Sequence, residues 1–359
     1  MRSPHTKWAS SYLRYLAFIS ALSLGLSLYH SPQSLAAEPQ QSSSSRGFYD
    51  GKTINIIVGF GPGGGYDLYA RLLSRYLGNY IADKPSVVVQ NMDGAGGVRA
   101  ANYVYSAAPK DGTVIAAVNQ GASLYQALNG QGALYDASKF QWLGSMAHSN
   151  NTIYTSAKSG IKTIDDAKRR DVSMAGSGVI SDADIYPAVF NKLVGTQFKV
   201  INGYTGTNDS NLAIERGEVD GRGGGAYSSL LSTKPDWLAQ KKIYVIAQIG
   251  FKKEPDLPEV PLLIDLVHDD VARQMATLVT VPTAVGYNHW LSPDVPADRV
   301  KILRDAYAKA MSDKVMVDEA RKMSLEIRPK TSLELEELTK RVSDVSPAIK
   351  NELRMVLGW

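Results

Sequence analysis

From Thr53 onward, short apolar runs alternate with longer stretches whose apolar residues recur every three or four positions. Ile54, Ile56, Ile57 and Val58 form a mostly β-branched run that stops at Gly59, the pattern of a buried strand. Beyond a cluster of glycines, Leu68, Leu72, Leu73, Tyr76, Leu77 and Tyr80 fall at helical spacing, so a helix is expected to open near Tyr66 or Asp67 and bury that stripe. The same order continues with a strand over 86–90, a helix over 98–107, a strand over 113–118 and a helical piece over 121–128. A second round predicts a short helix over 161–170 capped by Thr163, a strand over 171–175, a glycine turn at Gly176 to Gly178 and a helix over 184–194. A strand over 198–203, a helix over 208–216 stopped by Gly217, a short strand running from Val219 into Arg222, and a strand over 243–249 follow. The last third reads as helices over 296–311, 314–323 and 332–342, the last opened by a capping box at Thr331 or Ser332. Such β-α-β order predicts an α/β fold of mainly parallel sheets flanked by helices.

Composition narrows the compartment. Residues 1–37 open with Arg2, Lys7 and Arg14 and no acid, continue through an apolar stretch and end in small residues, which reads as a cleaved signal peptide; an uncleaved anchor is the alternative. Serine-rich residues 38–47 read as a disordered leader. The chain has no cysteine, which excludes disulfides, thiolate metal sites and a cysteine nucleophile. Three of the 39 basic residues and none of the 35 acidic ones lie in residues 1–37, leaving +1 for the remainder, so no nucleic acid or anionic membrane is expected as a partner. His148, His268 and His289 are widely spaced and make no metal-ligand pattern.

The glycine turn after the first strand is the candidate chemistry. Glycine there opens the backbone to a ligand, and the helix that follows leaves amides unpaired at the positive end of its dipole, so a carboxylate or phosphate suits it. Gly59, Gly61 and Gly64 satisfy a dinucleotide-binding pattern, but the next strand ends in Gln90 and Asn91 where an acid should hold a ribose. No Gly-Lys-Ser/Thr follows, so a P-loop fails. From these glycines alone, a plain strand-to-helix turn stays open beside the ligand reading.

With both turns placed, the residues resemble the receptors of tripartite tricarboxylate transporters, the Bug-type extracytoplasmic solute receptors. The resemblance rests on Ile57-Val-Gly-Phe-Gly-Pro-Gly-Gly-Gly-Tyr-Asp67 with Ala70-Arg71, on Val89-Gln-Asn-Met-Asp-Gly-Ala-Gly-Gly97, Ala108-Pro-Lys-Asp-Gly112, Ala175-Gly-Ser-Gly178 and Gly203-Tyr-Thr-Gly206. Arg216-Gly-Glu-Val-Asp220, Leu257-Pro-Glu-Val-Pro261 and Pro293-Asp-Val-Pro-Ala-Asp-Arg-Val300 extend it over essentially all of the chain past the leader. Asp93 stands where the family has proline, and 203–210 matches only loosely.

The resemblance implies a two-lobed type II periplasmic binding protein (flytrap) fold, with 48–149 plus 286–359 as lobe 1 and 150–285 as lobe 2. It implies a periplasmic monomer without catalytic residues or cofactors that captures a small organic carboxylate and delivers it to membrane transporter subunits. The loops carried over are 60–67, with Phe60, Gly61, Gly63, Gly64, Gly65, Tyr66 and Asp67, and 175–181, with Gly176, Ser177 and Gly178. By position, Asn119, Gln120 and Ser123 follow the third strand and are candidate hydrogen-bonding partners, and Tyr125 and Tyr227 join Tyr66 and Tyr204 near the expected cleft. Tyr204 and Thr205 lie in the loosely matching loop, and Arg222 is a candidate for a second carboxylate. Arg71 and Arg99 are expected to pair with Asp67 and Asp93. A receptor for a signalling partner, and a secreted nucleotide- or phosphate-dependent α/β enzyme, are the alternative functions.

Overall fold

The computed structural model describes residues 47–128 and 130–359. The expected signal peptide and residues 38–46 of the expected leader lie outside them. Among the described residues no helix is long and apolar enough to cross a membrane.

The strands are β1 (Thr53–Val58), β2 (Ser86–Asn91), β3 (Val114–Ala117), β4 (Gln141–Ser145), β5 (Asn151–Ser156), β6 (Val172–Gly176), β7 (Phe198–Asn202), β8 (Gly221–Arg222), β9 (Ile243–Ile249), β10 (Asn288–Leu291) and β11 (Lys330–Thr331). They form two sheets, ordered β11-β4-β10-β3-β1-β2 and β7-β6-β8-β5-β9. In the first, β1 runs parallel to β2, from Thr53 opposite Ser86 to Val58 opposite Asn91, and parallel to β3. In the second, β6 runs parallel to β7 and β8. Antiparallel strands complete each sheet: β10 beside β3 and β4, β11 beside β4, and β5 beside β8 and β9.

The helices are α1 (Gly65–Tyr76), α2 (Val98–Asn102), α3 (Ala122–Ala127), α4 (Asp182–Leu193), α5 (Thr207–Arg216), α6 (Tyr227–Thr233), α7 (Asp236–Ala239), α8 (Asp270–Val285), α9 (Ala297–Met311), α10 (Lys314–Lys322), α11 (Ser332–Ser343) and α12 (Pro347–Leu357). α1 buries Tyr69, Leu72 and Leu73, and Leu77 follows in a 3-10 turn, so the expected stripe faces inward. The capping box at Thr331 is formed: its hydroxyl takes the Glu334 amide and the Glu334 carboxylate takes the Thr331 amide at 2.8 Å.

Two expectations change for local reasons. The helix expected over 161–170 shrinks to a turn at Asp166–Lys168, because the Asp166 carboxylate accepts the amides of Lys162 and Thr163 and offers that backbone an alternative to a helix. The helix over 98–107 loosens after Asn102 into a π turn, in which the Ala108 amide reaches back to the Tyr103 carbonyl. α12, grouped with lobe 1 by the sequence reading, packs against α4 and α8, and its Ile349 and Leu353 join an apolar cluster drawn from both sheets' sides, with Ile57 and Trp290 as well as Ile185 and Val279.

The chain passes from the first sheet to the second through 146–150 and returns through 286–287. These passages lie side by side: the Met146 amide donates to the Tyr287 carbonyl at 3.0 Å and the Tyr287 amide to the Ala147 carbonyl at 2.9 Å. Gly286 sits there at φ +64°, where a Cβ would come within 2.1 Å of the Ala147 carbonyl oxygen.

Candidate functional site

Both glycine turns stand at the carboxyl ends of parallel strands, β1 and β6, where open α/β sheets place ligands. The first ends in α1, which begins at Gly64 with no side chain capping it. The amides of Gly65, Tyr66 and Asp67 therefore have no hydrogen-bond partner, as the first turn of an uncapped helix leaves them. Asp67 does not aim at a ligand. Its side chain is buried and accepts the Gly63 amide at 2.9 Å, Arg71 Nε at 2.8 Å and Asn91 Nδ2 at 2.9 Å, so it braces the turn from behind. Burial works against its charge, but these three donors outweigh it and hold the carboxyl below its ordinary range.

The second turn closes on itself. The amides of Ser177 and Gly178 and the Ser181 hydroxyl all donate to Asp184 Oδ2, at 2.9, 3.0 and 2.6 Å. Gly178, at φ +113°, packs so tightly on the 95–96 backbone that a Cβ would lie 2.6 Å from the Gly96 nitrogen. Ile180 is buried against Val98 and Tyr125. This loop docks the second sheet's side against the first.

Between them lies a cavity of about 40 Å³, far smaller than the roughly 300 Å³ at which pockets for organic ligands begin. The two sides are almost closed on each other. Phe60, Gly64, Gly65 and Tyr66 line it from the first turn, with Asn119 and Gln120 after β3. Ser181, Asp182, Thr207, Arg222 and Gly225 face them from the second sheet's side, and Tyr287 closes one end. Phe60 and Tyr66 stack at 5.0 Å between ring centroids, and Tyr66 meets Tyr287 edge-on at 5.1 Å. The Gln120 amide donates to the Tyr66 hydroxyl at 2.8 Å, which fixes that wall.

Two charged side chains face this space. Arg222 donates from Nε to the Gly224 carbonyl at 2.7 Å and from Nη1 to the Ser210 hydroxyl. Asp182, the first residue of α4, accepts Gln120 Nε2 at 3.0 Å and Asn151 Nδ2 at 2.9 Å, both on Oδ2. It keeps some accessible surface, as a side chain lining the cavity does, yet protein surrounds it. Burial pushes its carboxyl up to about 6, against the pull of Asn151, Arg222 and Gln120.

Of the residues singled out from the sequence, the cavity gathers Phe60, Gly64, Gly65, Tyr66, Asn119, Gln120 and Arg222. Gly61 lies to one side with its amide on the Thr205 carbonyl at 2.9 Å, and Gly63 faces Asn208. Ser123 is buried beside Thr339 of α11. Gly176 is hemmed in by Val200, Asn202 and Asp184, and Ser177 and Gly178 serve the second turn. Tyr204, Tyr227 and Tyr125 pack or bond elsewhere; the Tyr125 hydroxyl donates to the Gln131 carbonyl. Arg71 pairs with Asp67, whereas Arg99 reaches the Asp93 carbonyl at 3.4 Å rather than its carboxylate. Two of the three glycines of the dinucleotide pattern spend their amides within the protein: Gly59 donates to the Ala117 carbonyl at 3.1 Å and Gly61 to the Thr205 carbonyl at 2.9 Å. Asp182, Thr207 and Tyr287 are among the lining residues the sequence reading passed over. Asp182 carried a signal, an acid in the first turn after a glycine loop, but that signal is shared by ordinary helix starts.

The sequence profile described as the tripartite tricarboxylate transporter family receptor matches residues 70–348. A Cupriavidus necator relative, described as the UPF0065 protein in the gbd 5′ region, is 25% identical over 287 residues, 77% of this chain and 79% of its own. Among solved structures, the periplasmic binding protein BugD superposes with a TM-score of 0.67 at 20% identity, covering 86% of this chain and 99% of its own. MatC from Rhodopseudomonas palustris, solved with bound malate, superposes with a TM-score of 0.65 at 18% identity, covering 85% of this chain and 99% of its own.

Proposed function

Because the chain belongs to the tripartite tricarboxylate transporter receptor family, we propose that the cavity between its sheets is where it captures a small organic carboxylate for a membrane transporter. The observation that carries this reading is the uncapped start of α1: three amides without partners, Gly65, Tyr66 and Asp67, stand beside a cavity that also holds Arg222. Such a start stabilises a carboxylate without an ion pair, and Arg222 adds a charge-assisted contact. The malate held by MatC supports the ligand class.

The sheets would belong to two lobes that swing about the paired passages at 146–150 and 286–287, opening the cavity to admit ligand and closing on contacts from both sides. Lobe 1 would comprise 48–149 and the returning chain from 286, and lobe 2 residues 150–285, with α12 riding on lobe 2. The protein would act in the periplasm as a monomer, after cleavage of residues 1–37, and without catalysis.

A thermal-shift screen of mono-, di- and tricarboxylates, amino acids, NAD and phosphate tests this. A carboxylate at 100 times its dissociation constant stabilises the fold by about 2.7 kcal/mol. Stabilisation by NAD or phosphate with no carboxylate response would overturn the reading in favour of a nucleotide- or phosphate-dependent enzyme.

A further inference from the structure

The carboxylate reading leaves Asp182 unexplained, since a buried acid beside an anion site weakens that site. We infer that the ligand is a zwitterion, a carboxylate that also carries an ammonium group, and that Asp182 receives the ammonium while the start of α1 and Arg222 receive the carboxylate. This rests on the carboxylate reading and sharpens it.

The geometry of Asp182 carries the argument. Oδ2 takes both protein donors, Gln120 and Asn151, which fix the carboxylate in place. Oδ1 has no hydrogen bond and belongs to a side chain that lines the cavity. The charged and titratable groups around it are Arg222 of β8, Tyr66 of α1, Tyr186 of α4 and Tyr287 before β10. Burial raises all three phenols above their ordinary value, so they stay neutral at physiological pH. Arg222 pulls on Asp182 from a distance but bonds Gly224 and Ser210 instead.

An ionised Asp182 thus has donors but no cation in contact, and a compact ammonium supplies one. The cavity offers one cationic side chain, Arg222, one anionic side chain, Asp182, and the uncapped helix starts of α1, α4 and α5, which suits a ligand with an anionic end and a cationic end. A dicarboxylate would set a second anion against Asp182. Pairing requires Asp182 ionised, so affinity for a zwitterion should be lost as pH falls through about 6, the value to which burial raises this carboxyl. Affinity for a dicarboxylate should move the opposite way.

The test is titration calorimetry of the purified protein with matched probes, L-alanine, L-lactate and propanoate, and L-glutamate with glutarate, from pH 5 to 8. We expect each amino acid to bind at least about tenfold tighter than its partners without nitrogen, the worth of a charge-assisted hydrogen bond. We also expect its affinity to rise with pH, and Asp182→Asn to remove both the preference and the pH dependence. Should that variant fail to fold, the wild-type comparison and pH profile still decide. Lactate, propanoate or glutarate binding as tightly as the amino acid, a flat pH profile, or an unchanged preference in Asp182→Asn would overturn the inference while leaving the carboxylate reading intact. No response to any of these acids, with or without nitrogen, would overturn the inference, and the wider carboxylate screen then decides the carboxylate reading.

Discussion

The two glycine turns, Gly59 to Asp67 and Gly176 to Asp184, look alike as sequence: each follows a parallel strand, opens a helix and carries an aspartate shortly after its glycines. In three dimensions they do opposite things. In the first, Asp67 draws one amide backward and leaves the helix start bare toward the cavity. In the second, Asp184 absorbs two loop amides and a hydroxyl, so the loop ahead of α4 spends its own donors and becomes a docking knob against Gly96. A glycine-rich turn binds an anion only where its own side chains have not already supplied one.

The sharpest way to break the comparison is Gly178→Val. Its φ of +113° and the Gly96 backbone beneath it leave no room for a side chain, so affinity for a bound carboxylate should fall by more than about a hundredfold in calorimetry while the circular dichroism spectrum is kept. Unchanged affinity would remove docking from this turn's role.

Next comes Asp67→Ala, which strips three donors of their acceptor at a buried site and should cost about 2–3 kcal/mol in urea unfolding at pH 7. Because the folded carboxyl is held below its ordinary value, that contribution is present above pH ~4 and lost as pH falls further, so wild type and variant should converge in acid. A gap that persists in acid would assign the loss to packing.

Gly65→Ala should weaken ligand binding by about tenfold, since its Cβ would stand 2.6 Å from the Tyr287 hydroxyl and 2.9 Å from the Ser229 hydroxyl, side chains able to shift. The smallest effect belongs to Gly64→Ala. Its φ is −85° and its Cβ would rest 3.6 Å from the Thr207 amide, an ordinary contact, so stability should stay within about 0.5 kcal/mol. This glycine, which the motif ranks with Gly178, is the more replaceable of the two.

The local code was plain where period and punctuation agreed. β9 occupies the very run Ile243–Ile249, α5 stops at Gly217 in the left-handed conformation, and Thr331 caps α11. It was silent where burial overrides composition. β5 reads Asn-Thr-Ile-Tyr-Thr-Ser yet all six residues are buried, because Thr152, Tyr154 and Thr155 find partners in Gly225, Asn211 and Ile161. α8 carries Thr277, Thr280, Thr283 and Pro282, poor helix formers, and is held by burying Leu278, Val279 and Val281. At the site, the first turn was legible because its function is backbone and glycine announces backbone. Asp182, Thr207 and Tyr287 were not, because only the approach of two sheets brings them to one cavity.

The bond from the Gly61 amide to the Thr205 carbonyl has an evolutionary consequence. It joins the two sides of the cavity through peptide groups alone, so the donor and acceptor survive any substitution, proline at 61 excepted, that keeps the chain's path. The clasp is thereby inherited separately from the lining: Asp182, Thr207 and Arg222 are free to drift toward a new cargo while the latch that holds the cargo stays the same. For an engineer the same separation marks which positions to randomise in a biosensor and which strand-ends to leave untouched.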